Sequence, residues 1–207
     1  MKKNFIKRIL TSIALLILLF LMFLSKKILI IIFLLLGVLS ILEFLSITNK
    51  IFKNIFYKFS ANIIFIFYVF IFCILFIFAS NHFELKIILY SLILCCVGSD
   101  LGGYFTGKIL KGPKLTKISP SKTVSGSIGS LFFGSLFFSL TFFFFSNQFN
   151  FKIFLIGIAT SISCQLGDLF FSFIKRKAFI KDSGKFLPGH GGALDRLDGI
   201  FFGMPLG

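Results

Sequence analysis

Long apolar stretches separated by short polar segments dominate the chain up to about residue 173. A membrane-spanning helix needs roughly 20 apolar residues, and six stretches come close to that length or exceed it. The pattern predicts spans at about 9–25, 28–47, 61–80, 87–107, 127–146 and 153–173, and a shorter apolar tail at 199–207. We therefore expect an all-α polytopic membrane protein with about six transmembrane helices and a short C-terminal apolar half-helix.

Composition supports this class, because 57% of the 207 residues are hydrophobic. The 34 phenylalanines are expected to pack between helices or to face lipid. All four cysteines lie in apolar segments without metal-ligand spacing, so neither a zinc site nor a disulfide framework is indicated. The basic start resembles a signal peptide, but it lacks a small-residue cleavage site, and Lys26-Lys27 leads directly into another span. A retained first helix is expected.

Basic residues alternate between the predicted loops. The N-terminus and the second, fourth and sixth loops hold 18 of the 22 lysines and arginines, and the other loops hold only Lys26, Lys27, Lys86 and Lys152. The positive-inside rule places the N-terminus and those even loops in the cytoplasm. Because the net charge of +15 is spread between the spans, no nucleic-acid partner is expected.

Glycine and proline divide the chain into two regions. All four prolines and 17 of the 18 glycines follow residue 97. Irregular backbone at membrane depth is tolerated only where protein buries it or where it lines a cavity. We therefore interpret 1–90 as an N-terminal anchor of transmembrane helices and 91–207 as the region that carries the chemistry on cytoplasmic loops.

Only seven acidic residues are present, and five are aspartates of the second region. Glu43 and Glu84 are expected to be solvated or snorkelling charges. Asp100 and Asp168 interrupt apolar spans near their inner ends, where an ionisable group is a functional candidate by default. The alternative for Asp100 is a helix-packing face of neighbouring glycines.

Asp195 and Asp198 share one face if their segment is helical, and a glycine-rich turn precedes them. Glycines let backbone N–H groups approach an anion, and carboxylates beside a phosphate need a cation between them. Together with nearby basic side chains, the segment indicates a Mg²⁺–phosphate site. Within the turn, His190 is either a base, a phosphate donor or a simple turn residue. A separate polar stretch, Ser119 to Thr123 with Lys122, offers hydroxyls and a cation for a nucleotide.

These segments resemble a known family. The stretch SFIKRKAFIKDSGKFLPGHGGALDRLD over 172–198 is similar to the phosphatidate cytidylyltransferase signature along its whole length. Upstream, Gln165 to Asp168 and Ile118 to Thr123 resemble that family's other marked regions, in the same order. The resemblance covers roughly residues 95–200. It departs at Val124-Ser125, where the family usually has Trp-Glu, and at Gly199, where Ser is usual.

The resemblance implies transfer of a cytidylyl group from CTP to phosphatidate, which gives CDP-diacylglycerol and pyrophosphate. It implies a metal site of Mg²⁺ with K⁺ at Asp168 and Asp195, assisted by Asp198, and His190 joins these three as a candidate catalytic residue. Implied substrate-binding residues are Ser119, Lys122, Thr123, Lys175, Arg176, Lys181, Asp182, Gly191, Gly192 and Arg196.

The expected location is the inner (plasma) membrane, with several spans and with the motif loops in the cytoplasm. Membrane lipid surrounds the protein, and a homodimer is one assembly compatible with the sequence. Two alternatives stay open at this point. One is a CTP-dependent lipid or polyprenol kinase, and the other is a non-catalytic membrane scaffold or a transporter, although no inverted repeat is visible.

Overall fold

The computed structural model describes residues 14, 17–116, 118–184, 186 and 191–207. Beyond a helical stretch over 17–24, these ranges form six helices: α1 (Lys26–Ile51), α2 (Ile55–Ala79), α3 (Phe83–Ile109), α4 (Val124–Ser146), α5 (Phe151–Lys177) and α6 (Leu194–Leu206). No β-strand is present in these ranges, and an isolated antiparallel bridge joins Lys114 and Thr123. The predicted all-α fold is confirmed.

Helices α1 to α5 are each long and apolar enough to cross a membrane. They correspond to the second to sixth predicted spans. The first predicted span, 9–25, lies partly outside the described residues, and its described part is helical over 17–24. The chain is thus a polytopic membrane protein.

Two boundaries differ from those predicted. Ser25 alone separates the stretch over 17–24 from α1, so Lys26 and Lys27 lie in a first helical turn and not in a loop. The C-terminal helix begins at Leu194, five residues before the predicted apolar tail. Charged residues at 195, 196 and 198 hid this start from a hydropathy pattern, although Leu194 and Leu197 are buried.

The chain divides into two compact units, each assembled from separate segments. The first unit comprises Met1–Phe78 and Ile174–Leu197, and the second comprises Ala79–Phe173 and Asp198–Gly207. The predicted division at residue 90 into an anchor and a catalytic region stays a prediction.

In the first unit, α1 packs against α2 through aromatic rings and one small residue. The rings of Phe44 and Phe65 stack with centroids 4.0 Å apart. A Cβ added to Gly37 would lie 3.1 Å from the sulfur of Cys73, so the two helices are close at this level. A buried hydrogen bond of 2.7 Å from Thr48 Oγ1 to Asn62 Oδ1 satisfies two polar groups inside this contact.

In the second unit, glycines let α3 approach α4 closely. A Cβ on Gly102 would lie 2.6 Å from the carbonyl oxygen of Gly129, and one on Gly98 would lie 2.8 Å from the ring of Phe137. The glycine face that the sequence offered as an alternative role for this segment is therefore used in packing. It does not exclude a functional Asp100, because that side chain is exposed beside the packed face.

Helix α6 packs against α5 within the same unit. A Cβ on Gly167 of α5 would lie 2.5 Å from the carbonyl oxygen of Asp198. The rings of Phe171 and Phe201 lie 6.3 Å apart, and both are buried. Large apolar side chains elsewhere on the spans are exposed, as expected where lipid replaces protein as the neighbour.

Candidate functional site

Two carboxylates and a thiol meet in the second unit. Oxygens of Asp100 on α3 and Asp168 on α5, and the sulfur of Cys164 one turn before Asp168, lie within 4.8 Å of one another. Gly199 of α6 borders this group, since a Cβ added there would lie 2.9 Å from Asp168 Oδ1. The predicted metal ligand Asp168 thus lies beside Asp100, the other aspartate that interrupts a span.

We refer to the side chains of Asp100, Asp168 and Cys164 together as the carboxylate group. A cavity of about 230 Å³ adjoins it. Asp100, Lys122, Thr123, Gln165 and Asp168 are among the residues that line it. Lys122 Nζ donates a hydrogen bond of 2.8 Å to Asp168 Oδ2, which forms a partly buried ion pair. A cation predicted to bind the nucleotide and a carboxylate predicted to bind metal therefore share one cavity.

The loop between α3 and α4 holds Lys122 through its own backbone. Lys122 donates its N–H to the carbonyl of Ser119 at 3.0 Å and accepts from the N–H of Leu115 at 2.8 Å. Thr123 is the N-cap of α4, and its hydroxyl accepts from the N–H of Gly126 at 3.1 Å. Within the described part of this loop, Ser121 and not Ser119 lines the cavity.

The wall between α4 and α5 is fixed by an amide. Ser127 Oγ donates to Gln165 Oε1 at 2.5 Å, and Gln165 Nε2 donates to the Ser127 carbonyl at 3.3 Å. Both side chains line the cavity. Because Gln165 lies one turn before Asp168, this pair of bonds sets the rotation of α5 at the carboxylate group.

Asp198 lies in the first turns of α6 and is the first residue of that helix that belongs to the second unit. Its Oδ1 accepts a hydrogen bond of 3.0 Å from the N–H of Gly199. It is not a member of the group formed by Asp100, Cys164 and Asp168 among the described residues. Its predicted role as an assisting metal ligand stays a prediction.

In the first unit, Asp195 is surrounded by donors. Lys175 Nζ lies 2.6 Å from Asp195 Oδ1, and the side chains of this pair are only 10% and 8% exposed. The other oxygen, Oδ2, accepts from the N–H groups of Ser183 at 2.8 Å and of Gly192 at 2.9 Å. The carboxylate thereby joins the end of α5, the following loop and the start of α6.

These donors control the protonation of Asp195. Burial alone would raise the pKa of its carboxyl group, but the hydrogen bonds from Lys175, Gly192 and Ser183 favour the charged form and outweigh burial. The pKa of Asp195 is consequently held below its ordinary value of 3.8. Asp195 is a carboxylate at neutral pH.

The glycine pair before α6 leaves little space around this carboxylate. Gly191 has a φ of +86°, in the left-handed region that side chains rarely adopt. A Cβ on Gly191 would also lie 2.6 Å from Asp195 Oδ2. The predicted roles of Gly191 and Gly192 in binding substrate stay predictions, while their close approach to carboxylates is a property of the fold.

The remaining predicted substrate residues of the first unit are basic or acidic groups near water. Arg176 donates to the carbonyl of Ile180 at 3.4 Å, which turns the chain at the end of α5. Lys181, Asp182 and Arg196 are exposed. His190 lies outside the described residues.

Sequence reasoning misjudged Glu43. Instead of being solvated, its carboxylate accepts from the Ser183 hydroxyl at 2.6 Å and from the N–H groups of Ala193 and Leu194 at 2.9 and 3.0 Å. The signal was present, because Glu43 falls inside a predicted apolar span, where an ionisable group is by default a functional candidate. Ser183, which is buried and bridges Glu43 to Asp195, had no sequence signal.

The carboxylate group of the second unit fits a magnesium ion by its donor chemistry. Mg²⁺ prefers carboxylate oxygens completed by water and phosphate oxygens, and Asp100 and Asp168 supply two such groups beside the cavity. The sulfur of Cys164 is a soft ligand that Mg²⁺ does not favour. The hard pair and not the thiol is therefore the part of the cluster suited to Mg²⁺.

Fold and site together define a helical, polytopic membrane protein with a lysine-paired carboxylate group beside a cavity. The model of the cytidylyltransferase family matches residues 2–207, so the chain belongs to that family. Similar proteins include the phosphatidate cytidylyltransferases of Helicobacter pylori, 41% identical over 121 residues, and of Staphylococcus haemolyticus, 40% identical over 136 residues. The corresponding protein of Mycobacterium leprae is 41% identical over 112 residues.

These matches cover part of each protein. The aligned residues are 54%, 64% and 54% of this chain, and 42%, 51% and 36% of the relatives from H. pylori, S. haemolyticus and M. leprae. The chain thus spans about half the length of the curated relatives it matches, or less.

Proposed function

We propose that this chain transfers a cytidylyl group from CTP to phosphatidate. A phosphate oxygen of the lipid forms a bond to the α-phosphorus of CTP, and the bond from that phosphorus to the bridging oxygen breaks, so pyrophosphate leaves. The observation that carries the proposal is the cavity of the second unit, where Lys122 and the carboxylates of Asp100 and Asp168 adjoin one space. Family membership supports the same reaction class.

Charge management is the main task of such a site, because both substrates are anions. Lys122 is the cation for phosphate oxygens in the cavity, since it lines the cavity and its Nζ pairs with Asp168 there. Asp100 and Asp168 would hold Mg²⁺, which when bound neutralises phosphate charge. We assign Ser119 and Thr123 to the nucleotide, and Lys175, Arg176, Lys181 and Arg196 to phosphates. Asp182, Gly191, Gly192 and His190 remain candidates in the same signature.

We place the protein in the plasma membrane, with its N-terminus and motif loops in the cytoplasm, where CTP is available. The charge alternation between loops supports this orientation. K⁺ beside Mg²⁺, metal ligation by Asp195 and Asp198, a homodimer and the absence of a nucleic-acid partner are proposed on the family resemblance and composition alone.

The test is formation of radiolabelled CDP-diacylglycerol by purified protein in detergent with CTP, phosphatidate and Mg²⁺. Asp168→Asn removes a charge from the carboxylate group and should lower the rate at least about 100-fold. Glu84→Gln is the matched control, because it makes the same chemical change in the first turn of α3, sixteen residues from Asp100. That separation is about 24 Å along a helix, so the control should retain activity.

Three other outcomes would contradict parts of the proposal. Unchanged activity in Asp168→Asn would keep the reaction and reject this site. Phosphorylation of a lipid alcohol without CDP-diacylglycerol would identify the CTP-dependent kinase. Neither product from folded wild-type protein would reject both enzymes and favour a scaffold or transporter.

A further inference from the structure

Glu43 of α1 binds a segment far away in the sequence. Its Oε2 accepts from the hydroxyl of Ser183 and the N–H of Leu194, and its Oε1 accepts from the N–H of Ala193, all at 2.6–3.0 Å. These residues belong to the same unit of the protein. One carboxylate on α1 thus holds both Ser183 and the start of α6.

The contact with α6 is electrostatically favourable. The first N–H groups of a helix have no partner within the helix, and they carry the positive end of its dipole. Ala193 and Leu194 donate at the point where α6 begins. Glu43 therefore caps α6 with a charge-assisted pair of bonds supplied by another helix.

The fit around Glu43 is close on both sides. A Cβ added to Gly184 would lie 2.8 Å from Glu43 Cδ, and a Cβ added to Gly192 would lie 2.5 Å from the same atom. Two glycines of the signature thus leave just enough room for this carboxylate. Such shape complementarity favours one placement of Gly184 and Gly192 against Glu43 over others.

Glu43 acts on Asp195 through Ser183. The Ser183 hydroxyl donates to Glu43, while the Ser183 N–H donates to Asp195, which in turn pairs with Lys175. Gly192 repeats the arrangement, because its N–H donates to Asp195 and its Cα faces the Glu43 carboxylate. Releasing Glu43 would therefore move the groups that orient Asp195 and Lys175.

We propose that Glu43 is a positioning residue for the phosphate-handling part of the signature. It does not contact substrate; it holds Ser183 and the start of α6 so that Lys175 and Asp195 keep their relative placement. The inference rests on the proposed transfer reaction for its catalytic consequence, but the anchoring itself is independent of that reaction. A residue of the region interpreted as a plain anchor thereby orients Lys175 and Asp195 within the first unit.

The first measurement is hydrogen exchange by mass spectrometry on wild type and Glu43→Gln in detergent. The glutamine keeps the size of the side chain, but it loses the charge and turns an NH₂ group towards backbone donors. Exchange in peptides containing Ala193 and Leu194 should accelerate about tenfold or more. Glu84→Gln, the matched carboxyl-to-amide control, should leave those peptides unchanged.

The second measurement is specific activity per folded protein for Glu43→Gln, Ser183→Ala and the double variant. Glu43→Gln should fall about 10- to 100-fold, as expected for loss of an orienting partner, and Ser183→Ala should fall less. The double variant should resemble Glu43→Gln, because both changes break one chain of contacts. If Glu43→Gln does not fold, Ser183→Ala alone should still accelerate exchange at Leu194 and lower activity.

If exchange and activity in both variants stay at the wild-type level, the inference is overturned. It is also overturned if activity falls only in proportion to the amount of folded protein. Multiplicative losses in the double variant would also overturn it, since they would mean independent action. Faster exchange in a protein whose wild type makes no CDP-diacylglycerol would keep the anchor and reject the proposed function.

Discussion

Lys175 and Asp195 illustrate how this chain keeps charged side chains away from water. Lys175 Nζ lies 2.6 Å from Asp195 Oδ1, and two backbone N–H groups donate hydrogen bonds to the other carboxylate oxygen. A buried charge is costly unless it is paired and hydrogen-bonded. Both conditions are met here. Removal of one partner would leave the other as an unpaired buried charge, which is strongly destabilising.

The depressed pKa of Asp195 predicts an acid-dependent loss of stability. A carboxyl group whose folded pKa is lowered stabilises the fold at pH values above its unfolded pKa, and this contribution disappears as pH falls through the folded value. The ordinary pKa of this carboxyl group is 3.8. From pH 7 to pH 5, the free energy of unfolding of wild type should therefore exceed that of Asp195→Asn by about 1.5–3 kcal/mol. The advantage should shrink below about pH 4.

The measurement is the thermal unfolding midpoint in detergent without added metal, on protein freed of bound metal beforehand by dialysis against EDTA at neutral pH. An advantage that persists undiminished at pH 3, or that grows on acidification, would show that the charge of Asp195 is not what stabilises this contact.

At the scale of single residues, the sequence identified the side chains that matter better than it identified their partners. Asp168 and Lys122 were both singled out, yet their pairing depends on how a loop and a helix 46 residues apart fold together. Glu43 was misjudged because its donors are backbone N–H groups, and backbone donors leave no residue type to recognise. Cys164 likewise became a member of the carboxylate group only through the packing of α5.

At the scale of elements, α3 and α4 form a contact that depends on glycine. Gly102 meets Gly129 backbone to backbone, and the next residue, Gly103, meets Gly126, which lies one turn earlier on α4. Lipid offers no hydrophobic driving force for helix pairing, so close van der Waals packing must supply it. The same contact brings Asp100 and the start of α4 to one cavity.

Gly102→Ala tests this contact. The added methyl group would lie 2.6 Å from the Gly129 carbonyl oxygen and from Phe133 Cβ, so the helices must separate. We expect a loss of about 1–3 kcal/mol, typical of overpacking, seen as a lower unfolding midpoint in detergent. Leu101→Ala, on the neighbouring exposed position, should stay within about 0.5 kcal/mol. Equal midpoints for the two variants would contradict this description of the contact.

Hydropathy located the spans because a length of apolar residues is a physical requirement of the bilayer. It could not define where helices end, since α2 begins at Ile55 and α5 continues to Lys177, beyond the apolar stretches. Backbone hydrogen bonding continues a helix into water wherever the side chains permit. The start of α6 was missed for the same reason.

For the whole molecule, the strongest prediction from sequence is orientation. Basic residues concentrate on alternate loops, and the positive-inside rule converts that pattern into a cytoplasmic N-terminus. The two loops that flank α3 are predicted to lie on opposite sides of the membrane, with Asn81 outside and Lys114 inside.

Single cysteines at these positions test the orientation. In intact cells, a membrane-impermeant maleimide should label Asn81→Cys and should label Lys114→Cys only after permeabilisation. Both positions are exposed, whereas the four native cysteines are buried and should give little background. The reverse labelling pattern would place the motif loops outside and contradict a site that uses cytoplasmic CTP.

The assembly of each unit from separate segments could not be predicted. Residues 174–197 complete the first unit, while the residues just before and after them belong to the second. Local patterns reveal helices and their faces, but the choice of partners across the chain depends on three-dimensional packing. One sequence without comparison to others carries no direct record of those contacts.

The distance along the chain between Glu43 and its partners has a consequence for biogenesis. Ser183 follows Glu43 by 140 residues and Leu194 by 151, so four further helices are made before the donors leave the ribosome. During that interval α1 enters the bilayer with an acidic side chain whose final partners do not yet exist. Ser183, Ala193 and Leu194 therefore complete the surroundings of Glu43 only late in synthesis, and a ribosome stalled before residue 183 leaves an inserted α1 whose carboxylate lacks these hydrogen bonds.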